Sequence, residues 1–238
     1  MHEYYQKKSK ALKKTMNSFL KLIRPELEAD LKMSYDEILE ETWDIYYHKY
    51  MENFPYIGGD KVSGTGNLTG AYCYIALGDA VRKHGMSLER WGELTTICYR
   101  RFSDKIPAFA RKLVKIVFNH PKFVGKMLKK KDAKNATNSS LNPGSFVTET
   151  QPNPTKDLIE FHNIVCPLAN FAIKMNCTEY MPYICNLDYV MAESFQISFT
   201  RTKTCASGDE YCNFCLSATG KITPSWPCHS LNPDDPLK

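Results

Sequence analysis

The 238-residue chain holds no run of about eighteen apolar residues, so no segment reads as a membrane-spanning helix. Its opening stretch, MHEYYQKKSKALKKTMNSFLKLI, has no uninterrupted apolar core and no small-residue cleavage site. It is therefore expected not to be a secretory signal. A cytoplasmic protein with reduced thiols is the expectation. No second C-x-x-C accompanies Cys212–Cys215, so a four-cysteine zinc site is not spelled out. No Gly-Lys-Ser/Thr closes the glycine-rich stretch Pro55–Gly70, and no strand is expected before it, which argues against a phosphate loop. No recognised DNA- or RNA-reading motif is present. Strong charge of one sign is also lacking, since the formal net charge is only +5. Nucleic acid is thus not an expected partner. The odd count of nine cysteines argues against a fully paired disulfide framework.

What is there begins with helices. A chain of this length buries roughly 70–75% of its unfolded surface, so it needs no covalent staple. Tyr5, Leu12, Met16, Phe19 and Leu20 recur at helical spacing over residues 2–21. Ser34 and Glu37 stand three apart, as a capping box requires, before a helix reaching about Phe54. A further helix is expected from about Leu68 to His84, ended by Gly85, and another from Ser87 to about Phe102.

Residues 105–134 hold ten Lys or Arg. Among them Phe109, Leu113, Ile116, Val117, Phe123, Met127 and Leu128 follow a helical period that Pro121 breaks in two. A solvated basic face is one reading of this pair of helices. Membrane-surface contact through residues 105–131 is the other.

The second half changes character. DAKNATNSSLNPG, residues 132–144, reads as a loop or linker between a helical subdomain, 1–131, and an α+β cysteine-rich subdomain, 145–218. Residues 157–165 read as a strand, CPLANFAIKM as a short helix, 182–193 as another helix, and 195–204 and 211–218 as a hairpin. The tail from Thr219 to Lys238 carries four prolines and is expected to lie extended or to be mobile. The fold class is α+β: a helical N-terminal half packed on a C-terminal antiparallel-sheet half.

Seven of the nine cysteines lie after residue 165. Cys212 and Cys215 fall on opposite faces of one strand, so the C-x-x-C is not expected to act as a unit. Cys212 shares its face with Phe214 and Leu216 and is expected to point inward. Cys185 and Asp188 lie on one helix face. Cys166 falls where a strand ends and a helix begins, where the helix dipole lowers a thiol's pKa. Buried thiols without a role are the bland alternative.

Four ordered pieces then carry a resemblance: Val165-Cys166, Cys185-Asn-Leu-Asp188, Arg201-Thr-Lys-Thr204 and Gly208-Asp-Glu-Tyr-Cys212-Asn-Phe214. With Pro55-Tyr-Ile-Gly-Gly59, Ala76-Leu77 and Gly85-Met-Ser-Leu-Glu89 in the helical half, the chain resembles the L-2-amino-thiazoline-4-carboxylic acid hydrolase family over roughly residues 35–216. The ending Gly-x-x-x-Cys-x-Phe also looks like the last strand of vinyl-reductase-type small-molecule-binding domains. The first resemblance implies ring-opening hydrolysis of a cyclic amidine to a carbamoyl amino acid.

Two chemistries fit. In one, a thiolate attacks, with Cys166 the first choice as nucleophile and Cys185 the next, and Asp188 helps move protons. In the other, Cys166, Cys185 and Cys212, with or without Asp188, hold Zn²⁺. No cofactor is required in the first. Arg201 is the candidate for a substrate carboxylate. His162 is a candidate base or substrate contact on the Cys166 face of the strand. A non-catalytic small-molecule sensor with the same pocket stays open as the alternative. The family pattern has Asp after its last cysteine where this chain has Asn213, and Arg where it has Cys215.

Overall fold

Three of the α-helices start where a side chain caps the first turn. The computed structural model describes residues 1–152 and 157–228. Helix α1 (Glu3–Leu20) begins after His2, whose Nδ1 accepts the Tyr4 amide at 3.2 Å. Helix α2 (Arg24–Leu31) follows a short turn. Helix α3 (Tyr35–Ile45) opens with the expected capping box: Ser34 Oγ accepts the Glu37 amide, and Glu37 accepts the Ser34 amide at 3.0 Å. Beyond Ile45 the chain continues as a wide π turn, Tyr46–Tyr50, and a tight 3₁₀ turn, Met51–Asn53. Tyr46 and Tyr50 are thereby both fully buried.

Helix α4 (Ser63–Lys83) is the spine of the molecule and is buried along most of its length. It starts five residues earlier than its apolar pattern predicts, because Ser-Gly-Thr-Gly forms its first turn. Gly85, at φ +87°, ends it as expected. Ser87 caps α5 (Leu88–Asp104) by accepting the Arg90 amide at 3.1 Å. Helices α6 (Ala108–Phe118) and α7 (Pro121–Leu141) form the basic pair, broken at Pro121.

Residues 132–141 are not a linker. They are the C-terminal half of α7. The polar residues that suggest a turn are used as tertiary ligands instead. Strand β1 (Val147–Thr150) is clamped by Asp132, which accepts Thr148 Oγ1 at 2.6 Å and the Thr150 amide at 2.8 Å. Asn135 donates to Thr148 Oγ1, and Asn138 donates to the Ile57 carbonyl. Propensity favours a turn here, and packing overrides it.

Strand β2 (Ile159–Val165) leads into α8 (Pro167–Lys174), and α9 (Met181–Ser194) into β3 (Ser198–Thr200) and β4 (Cys212–Ser217). The sheet is antiparallel throughout, in the order β1-β2-β4-β3. The architecture is α+β, as expected. The strand expected over 195–204 is shorter. Gln196 takes a left-handed conformation to end α9. After Thr200, Asn213 Oδ1 accepts the Thr202 and Lys203 amides at 2.9 and 2.7 Å, and the chain peels away from the ladder.

One buried core gathers residues from α1, α3, α4, α5, α8 and α9. Helix α9 crosses α5 so closely that a methyl at Gly92 would run into the Tyr183 ring. Its other side covers the sheet, where Tyr189, Ala192 and Phe199 meet Phe214 and Leu216. Residues 219–228 run without regular structure but are anchored. Ser225 is fully buried between Arg100 and Glu193, and the Cys228 thiol donates to the Pro182 carbonyl at 3.0 Å. The rest of the expected tail, 229–238, lies outside the described residues.

Candidate functional site

Sheet register decides which thiols meet. Asn163 pairs with Cys212, and His162 pairs with Asn213. Paired residues share a face, so Cys212 lies on the face that carries Phe161 and Phe214, and His162 lies on the other. His162 is occupied there: its Nε2 is 2.9 Å from Glu160 Oε1 and its ring stacks on Tyr211 at 4.2 Å. It does not join the thiols. Cys215 is also turned away, toward Thr200 and Glu160, so the C-x-x-C is split as expected. No disulfide joins the cysteines among the described residues.

Four of them converge. Cys166 arrives as the cap of α8, Cys185 from α9, Cys212 from the start of β4, and Cys205 from the turn Cys205–Ser207. The turn is closed by Gly208 at φ +92°, a conformation that glycine adopts without strain. Thr204 ties the group together: its Oγ1 is 3.5 Å from Cys212 Sγ and 4.0 Å from Cys185 Sγ. The Cys205 amide donates to Cys212 Sγ at 3.2 Å, and the Cys205 thiol faces the Asn163 carbonyl at 3.6 Å. Cys205 is not among the candidates that spacing along the chain singles out. Its nearness follows from the hairpin: a residue just before a tight turn faces one just after it.

The thiols differ in electrostatics. Burial pushes Cys166 up to about 12, although the Ala169 and Leu168 amides oppose this. The dipole of an eight-residue helix does not overcome desolvation here, so the lowered pKa expected of a helix-start thiol is absent. Burial likewise pushes Cys185 up to about 12 against the pull of Arg201. Cys212 goes the other way. The Cys205 thiol hydrogen bond holds it below the ordinary thiol range despite burial, with help from Thr204, the Cys205 amide and the Arg201 charge. Cys205 is correspondingly raised, first by Cys212 and then by burial.

Asp188 and Arg201 also differ from the expectation. The Arg201 side chain is 2% exposed and gives Nη1 to Asp188 Oδ2 at 2.7 Å. Its Nη2 donates to the Cys185 carbonyl at 2.8 Å. Three rings, Tyr189, Phe199 and Phe214, surround the guanidinium within 5.8 Å. Arg201 is therefore a positioning cation under the cluster, with Asp188 as its counter-ion, rather than an open carboxylate clamp. Among the described residues no three His, Cys, Asp or Glu side chains are placed to hold a metal ion. The set Cys166, Cys185 and Cys212 is therefore not arranged as a Zn²⁺ site in this structure.

A cleft of about 230 Å³ opens onto this cluster. Thr178, Glu179 and Pro182 line it together with Cys185, Thr204, Ala206 and Ser207. Glu179 is ion-paired with Arg82 at 3.2 Å. Fold and site together define an α+β protein with a thiol cluster beneath a small-molecule-sized cleft. The chain belongs to the L-2-amino-thiazoline-4-carboxylic acid hydrolase family, whose family model matches residues 66–216. That match takes in Cys166, Cys185, Asp188, Arg201, Cys205 and Cys212. No curated protein and no solved structure matches the chain.

Proposed function

We propose that the protein is a thiol-dependent hydrolase that opens a small cyclic amidine, such as 2-amino-thiazoline-4-carboxylate, to a carbamoyl amino acid. Family membership supports the reaction class. The observation that carries the mechanism is the setting of Cys212, the one thiol of the cluster held below its ordinary pKa, next to a neighbour held above it. A thiolate is the nucleophile that this chemistry needs. Cys212 thus replaces Cys166 as the preferred attacking group.

The steps balance as follows. Cys212 sulfur bonds to the amidine carbon, the ring carbon–sulfur bond breaks, and the departing ring sulfur takes a proton from Cys205. Water then adds to the same carbon. One water proton goes to the amidine nitrogen and the other restores the Cys205 thiol. The Cys212 bond breaks, which releases the carbamoyl product and the thiolate. Arg201, held by Asp188, stabilises that thiolate in both steps. Glu179 on the cleft wall favours the cationic amidine end of the substrate.

One observation favours a second reading, a binding protein without turnover: Cys212 is 4% exposed, behind Thr204. Assay of carbamoyl product from 2-amino-thiazoline-4-carboxylate separates the two. Catalysis predicts that Cys212→Ser lowers kcat by roughly 10³ or more while ligand binding, followed by calorimetry, persists. Full turnover in Cys212→Ala would end the nucleophile assignment. Binding without turnover in the unaltered protein would establish the sensor reading instead.

A further inference from the structure

Helix α6 has no buried residue. Phe109, Leu113 and Ile116, spaced i, i+4, i+7, form a single apolar stripe along it. Phe123 and Met127 continue the pattern in the first turns of α7. All five are between 52% and 74% exposed. A contiguous exposed stripe of this kind is uncommon on a protein that needs no partner. Elsewhere most Phe, Leu and Ile side chains are buried or half-buried, so the stripe is not a general looseness of packing.

Charge indicates what covers it. Lys105 precedes α6, Lys112 and Lys115 accompany the stripe on it, and Lys122, Lys126, Lys129, Lys130 and Lys131 follow on α7. Arg111 is already paired with Asp104 at 3.1 Å. Two copies of such a face would bring lysines against lysines, which disfavours self-association. An anionic surface neutralises them. No helix among the described residues is long and apolar enough to cross a membrane, so the mode open to this pair is to lie in the interface.

We infer that α6 and the start of α7 dock the protein on anionic lipid membranes, with Phe109, Leu113 and Ile116 inserted among acyl chains and the flanking lysines on phosphate headgroups. This does not depend on the hydrolase reading. The cleft residues come from the turn before α9, from α9 and from the turn before β4, and the docking face comes from α6 and α7.

The test is co-sedimentation of the full chain with vesicles of phosphatidylcholine alone and with 30% phosphatidylserine. Binding is expected to be at least tenfold stronger to the anionic vesicles and to weaken with added salt. The triple variant Phe109→Ser, Leu113→Ser, Ile116→Ser removes only exposed side chains and should stay folded by circular dichroism. It is expected to bind at least tenfold less. Lys112→Glu with Lys126→Glu is expected to abolish the preference for phosphatidylserine. Failure to sediment with anionic vesicles, or binding untouched by either variant, overturns the inference. Light scattering supplies the remaining outcome: dimers that the triple Ser variant dissolves would make a second copy the occupant and overturn it too.

Discussion

Cys205 and Asn213 show how single residues set this site. Cys205 stabilises the Cys212 thiolate twice, through its amide and through its thiol. Truncation to Cys205→Ala leaves the amide but removes the second donor. The Cys212 pKa should then rise toward the free-thiol value of ~8.5. Iodoacetamide labelling followed against pH reads this directly: the midpoint for Cys212 should move up in Cys205→Ala and much less in Cys205→Ser, which keeps a donor. An unmoved midpoint would show that the thiols are not coupled. Asn213 answers the question raised by the missing family acid. Its Oδ1 accepts two backbone amides, and its Nδ2 donates to Thr202 Oγ1 at 2.9 Å. A carboxylate would serve the same two amides. Asn213→Asp should therefore leave activity within about twofold and stability within ~1 kcal/mol. A large change in kcat would give this position a chemical role that its contacts do not suggest.

Elements with their own local chemistry were legible in the sequence. Ser34 and Glu37 start α3, Ser87 starts α5, Gly85 ends α4, and Pro121 separates α6 from α7. β2, β4, α8 and α9 were found too, because alternation and helical spacing are local signals. Three features were not local. The C-terminal half of α7 looked like a turn because its Asp and Asn side chains bond to β1 and to Ile57 rather than to their own backbone. The end of β3 depends on Asn213, thirteen residues beyond Thr200. The face of His162 depends on whether Cys166 continues the strand, and it caps α8 instead. The α7 case yields a test. Asp132→Ala removes the acceptor for Thr148 Oγ1 and for both donors of Thr150. A cost of ~2 kcal/mol is expected for a partly buried charged acceptor. Hydrogen exchange should quicken at the Thr150 amide and remain slow in β4. Equal protection at Thr150 in both proteins would mean that strand pairing alone holds β1.

Across the whole molecule, the thiols tie stability to pH. The family and its ordered motif could be read from the chain, but the division of labour among the cysteines could not, because it rests on burial. Burial pushes Cys73, Cys98, Cys166 and Cys185 each up to about 12. In the unfolded chain these groups ionise near ~8.5. Their contribution is therefore complete below that value. As pH rises from ~8.5 toward 12, the unfolded state releases protons that the folded state keeps. Stability must fall, by on the order of 1 kcal/mol per pH unit for each such thiol. Cys212 has the opposite sign. Its folded pKa is lowered, so its contribution is present above ~8.5 and disappears as pH drops through the folded value. Urea unfolding at pH 7.5 and 9.5 reads the sum, and a midpoint lower by on the order of 1 M at pH 9.5 is expected. Cys73→Ala isolates one contribution, since Cys73 is buried in α4 and does not line the cleft. It should lower stability at both pH values and flatten the alkaline decline by about one proton. An alkaline slope identical to that of the unaltered protein would mean that Cys73 ionises as freely in the folded state as in the unfolded one, contrary to its burial.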